Sequence, residues 1–73
     1  MKLKRVFQVT ATGDIWEELL GTEVPGDLKF VGSFGDQASA IAEARREAAL
    51  SAPSTVIVLA PDGKREIIEV DGK

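Results

Sequence analysis

The chain alternates before it does anything else. Residues 3–10 (LKRVFQVT) place Leu3, Arg5, Phe7 and Val9 against Lys4, Val6, Gln8 and Thr10. A period of two with β-branched and aromatic members predicts a strand, with Phe7 and Val9 toward the core. Ala11-Thr12-Gly13-Asp14 supplies turn chemistry. The next stretch, 15–20, is contested: Asp14 and Glu17 have the spacing of a helix capping box, and Gly21 is placed to end a helix. Six residues are too few for an independent helix, so it is read as a second strand carrying Trp16.

A loop over 21–27, punctuated by Pro25-Gly26, leads to a third strand over 28–34. In that strand Leu28, Phe30 and Gly32 are expected to share a face. Helical spacing begins after Asp36, an acceptor suited to an N-cap, and runs over 37–50. Ile41, Ala44 and Ala48 form one stripe, flanked by Ala40 and Ser51, while Glu43, Arg46 and Glu47 are placed on the solvent side. A stripe of alanines buries little, so the bulk of the core is assigned to Phe7, Trp16, Phe30 and the aliphatics of the last hairpin. Pro53 stops the helix. Residues 55–59 (TVIVL) read as a central strand covered in part on both faces. Ala60-Pro61-Asp62-Gly63-Lys64 is a hairpin signal, and a last strand over 65–70 precedes a short tail, 71–73. The fold class is α+β: a small antiparallel sheet with a single helix packed on one face, in the order β-β-β-α-β-β.

With 73 residues, residues 1–73 form one domain with a thin core. Hydrophobic residues at 44% and charged residues at 29% give the balance of a soluble globular chain. The basic start, Met1 to Arg5, is not followed by an apolar run of signal-peptide or membrane-span length, which points to a cytoplasmic protein and no membrane partner.

His, Cys, Tyr and Asn are missing. That removes thiol and imidazole nucleophile arrangements, thiolate zinc sites and disulfides. No acidic spacing matches a calcium loop, and Gly13, Gly32 and Gly35 form no phosphate cradle. The expectation is therefore no enzyme, no cofactor and no metal.

The residue blocks Val6-Phe7-Gln8-Val9, Trp16, Phe34, 38–45 (ASAIAEAR), Val56-Ile57-Val58 and Asp62-Gly63-Lys64 resemble small bacterial and phage proteins grouped as domain of unknown function 2188. The resemblance covers most of the chain and implies a fold with one Ala/Glu-rich helix and a closing hairpin. It departs at Gln8, where members often carry His, and over 21–28, which is longer than usual. It carries over no site residue.

Charge is unevenly spread. Asp14, Glu17, Glu18, Glu23 and Asp27 fall within one stretch, and no Lys or Arg occurs from Val6 through Leu28, in a chain of net charge −3. With Trp16, these residues are the candidate partner-binding set. The basic residues are scattered and aromatics amount to 5%, which disfavours nucleic acid as a partner. The first reading is a binding module working through a protein partner or self-association, with an exposed sheet edge as the docking or homodimer site. The second is a phage- or plasmid-encoded, anti-CRISPR-like inhibitor, whose acidic 14–27 segment blocks a nucleic-acid-binding partner by charge complementarity.

Overall fold

The computed structural model describes residues 4–22, 26 and 28–71. Leu3, Glu23, Pro25, Asp27 and the tail residues Gly72 and Lys73, to which the sequence assigned roles, lie outside them. Five strands and one helix follow in the order β1 (Arg5–Thr12), β2 (Ile15–Thr22), β3 (Lys29–Phe34), α1 (Gln37–Leu50), β4 (Ser54–Leu59) and β5 (Arg65–Val70). The contested stretch is strand. Its hairpin with β1 turns at Gly13, whose φ of 63° is the positive value that a two-residue hairpin loop assigns to glycine.

The sheet order is β3-β2-β1-β4-β5. Neighbours are antiparallel except β1 and β4, which run parallel, from Arg5 opposite Ser54 to Thr10 opposite Leu59. The sheet is thus mixed, and the expectation of a purely antiparallel one is corrected. Parallel neighbours need a crossover, and α1 supplies it, carrying the chain from the β3 edge back to the far side of β1. Composition explains the insertion. β4 (STVIVL) is apolar on both faces and takes an interior place, whereas β3 (KFVGSF), with Lys29, Gly32 and Ser33, stays at the edge.

Asp36 caps α1, its carboxylate accepting from the Ser39 backbone N–H at 2.7 Å, and this bond holds the carboxyl below the usual range. At the other end the Ser51 hydroxyl donates to Glu47 O at 3.2 Å, and the Ser54 hydroxyl donates to Ser51 O at 2.8 Å. Ala40, Ala44 and Ala48 are fully buried against Phe7, Val9, Val56 and Val58. Trp16, Leu20, Phe34, Ile41, Ile68 and Val70 close the rim of this core. Phe30 is absent from it. It is 59% exposed, and the reason is a bulge: Glu18 pairs with Gly32 but Leu19 pairs with Phe30, so Val31 is the extra residue. The slip sends Gly32 to the helix side and Phe30 to the other, and the expected shared face is lost.

Candidate functional site

Among the described residues, the helix covers one face of the sheet and leaves the other open. Pairing in register carries a single row of side chains across all five strands of that open face. Phe30 on β3 stands opposite Leu19 on β2, Leu19 opposite Gln8 on β1, Gln8 opposite Ile57 on β4, and Ile57 opposite Ile67 on β5. Two apolar residues thus flank a central amide on each side. Phe30 and Ile67, at the two ends, are 59% and 52% exposed, and Leu19, Gln8 and Ile57 are half-buried. The row on one side holds Glu17, Thr10, Leu59 and Arg65, and the row on the other holds Val6, Thr55 and Glu69. The Lys4 ammonium donates to Glu69 at 2.6 Å and the Thr55 hydroxyl donates to the same oxygen at 3.1 Å, which together hold Glu69 below the usual carboxylate range. The open face is therefore an apolar stripe with a polar centre and a charged border.

The covered face hides the second feature. Glu18 is fully buried, opposite Val9 on one side and Gly32 on the other, beneath α1. Neither carboxyl oxygen has a hydrogen-bond donor among the described residues. Burial, followed by the nearby Glu47 and Glu43 carboxylates, pushes Glu18 up to about 7, against a smaller opposing pull from Arg46. A protonated Glu18 can donate to Glu47, which satisfies one acid by the other. Arg46 is engaged by Glu43, donating through Nε at 3.1 Å, so its charge is spent largely on the helix surface. Glu43 and Glu47 are half-buried, not solvent-facing as the helical spacing suggested, because a spacing of three from Ala40 and Ala44 sets them on the flank of the buried stripe.

No family model, curated protein or solved structure matches the chain.

The candidate set from the sequence divides accordingly. Asp14 is exposed in the β1–β2 turn, and Glu17 lies on the open face, its carboxylate accepting from the Thr12 hydroxyl at 3.2 Å. Trp16 is half-buried on the helix side, paired with Phe34. Glu18 belongs to the interior and presents no charge to a partner, since strand alternation places it on the opposite face from Glu17. Glu23 and Asp27 lie outside the described residues, and no geometry joins them to Asp14 and Glu17.

Both features have a signal in the sequence. In IWEELL, Trp16 and Leu20 bracket Glu18 at a spacing of two, so a core-facing Trp16 takes Glu18 inward with it. Ile15 and Leu19 bracket Glu17 in the same way, which marks the second face of β2 as apolar too.

A groove of about 1190 Å³ lies where the end of α1 meets β1 and β2, with Arg5, Leu20, Thr22, Arg46, Glu47 and Ser51 among its walls. The Ser51 hydroxyl is engaged in ending the helix. Among the described residues no group of three or more acidic side chains is arranged to hold a metal ion, and no helix is long and apolar enough to cross a membrane.

Proposed function

We propose that the chain is a non-enzymatic interaction module whose working surface is the helix-free face of the sheet. The row Phe30–Leu19–Gln8–Ile57–Ile67 carries the reading: an apolar stripe left uncovered in a domain whose core is this small. Exposed apolar stripes cost solubility, and a contiguous one with a polar border is the usual anatomy of a protein contact surface. The border here carries both signs, with Glu17 and Glu69 beside Lys4 and Arg65. The resemblance to domain of unknown function 2188 belongs to this reading as a proposal about kinship. The inhibitor reading has a narrower base, because among the described residues its surface charge comes from Asp14 and Glu17, with Glu18 withdrawn into the core.

Site-specific photocrosslinking tests the assignment of the surface. A photoreactive residue placed at Phe30 or Ile67 should give adducts of defined mass in the native host. The same residue at Arg45, on the exposed side of α1, should not. Adducts confined to Arg45, or to Asp14 at the acidic turn, would overturn the reading.

A further inference from the structure

We infer that the occupant of the open face is a second copy of this chain, stacked face to face about a twofold axis that runs along the central row. The inference rests on the reading of the open face as the contact surface and names its partner. A twofold dimer brings one patch against itself, so the patch must be self-complementary. This patch is. An axis lying along the row, across the strands, sets Phe30 beside Phe30, Leu19 beside Leu19, Ile57 beside Ile57 and Ile67 beside Ile67. Gln8, on the central strand of the five, then meets Gln8. An amide has both donors and an acceptor, so two facing amides satisfy one another where a carboxylate or an ammonium pair would repel.

The border obeys the same operation. On β5, Arg65 and Glu69 lie two residues to either side of Ile67 and point to the open face with it. Rotation about the row exchanges the two sides, so Arg65 of each copy faces Glu69 of the other. Glu17 faces the stretch of β2 at Gly21, which carries no side chain of its own. Stacked sheets cross at about 30°, which preserves the contacts near Gln8 and leaves the outer ones to long side chains such as Arg65. Strands spaced at about 4.8 Å with a rise of about 3.3 Å per residue make the face about 24 by 20 Å, or about 1,000 Å² for two copies. That is the lower limit for a specific interface, so the dimer is weak and depends on concentration.

Sedimentation equilibrium of the 73-residue chain, from about 10 μM to about 1 mM, reads the association directly. The expected result is a monomer–dimer equilibrium that persists in high salt. Ile67→Glu and Gln8→Glu should each weaken it at least tenfold, with melting curves showing that both variants stay folded. Arg45→Glu should leave it unchanged. A chain that sediments as a monomer throughout, or a dimer that survives both Ile67→Glu and Gln8→Glu, overturns the inference. Failure of this inference is separable from failure of the surface assignment: a monomeric chain that still crosslinks to a different protein through Phe30 or Ile67 loses the second copy but keeps the contact face.

Discussion

Glu17 and Glu18 are adjacent in sequence and lie on opposite faces of the sheet, one bordering the open stripe and the other sealed beneath α1. Their substitutions should therefore differ in kind. Glu17→Leu is expected to move stability by no more than about 0.5 kcal/mol, because only an exposed bond from Thr12 is lost. Glu18→Leu replaces a buried, unpartnered carboxyl with an apolar side chain beside Val9, and should stabilise the fold at pH 8 by about 1–3 kcal/mol. Chemical denaturation of the two variants at pH 8 measures both.

The burial of Glu18 sets a pH dependence. Its acid is raised from 4.5 to about 7, so between these values the folded chain holds a proton that the unfolded chain has released. Stability is therefore fully present below about 4.5 and is lost as pH rises through about 7, by up to ~3 kcal/mol. Asp36, Glu43 and Glu69 are shifted downward and act in the other direction, giving up stability as pH falls below the ordinary carboxylate range. The melting temperature should peak in mild acid, and Glu18→Gln should flatten the fall in stability between about pH 4.5 and 7. An unchanged slope between about pH 4.5 and 7 in Glu18→Gln would place the dependence elsewhere.

The close approach of α1 to the sheet rests on Ala40, Ala44 and Ala48, each fully buried. Ala44→Leu inserts a side chain where packing leaves no room, and should cost about 1–3 kcal/mol or more, read as a lowered melting temperature. Gly32→Ala behaves oppositely. A methyl there meets only the Phe34 ring at 3.9 Å, and Gly32 does not hold a positive φ, so the change should be neutral or stabilise by up to about 1 kcal/mol through the unfolded chain.

Local elements were legible because each is written locally. The helix over 37–50 begins at its Asp36 cap, and the last hairpin turns at Gly63 with φ 89°, both as the residues demand. What could not be read is how strands meet. The parallel pairing of β1 with β4 depends on α1 carrying the chain over β2 and β1, which no periodicity within β4 records. The side taken by Phe30 depends on the bulge between Glu18 and Leu19, a property of the pair β2–β3 and not of either strand alone. The site followed the same division. Negative charge is dense over 14–27, but alternation in β2 puts Glu17 and Glu18 on opposite faces, and the apolar row exists only across five aligned strands.

The helix-free face is proposed to be the working surface whichever protein covers it. The most direct measurement is the amide NMR spectrum of isotope-labelled protein, dilute, concentrated and in native host extract. Leu19, Gln8, Ile57 and Ile67 should shift or broaden together, while Arg45 and Ala49 on the outside of α1 stay fixed. Perturbation confined to α1, or to the turn around Asp14, with the central row unmoved, would contradict it.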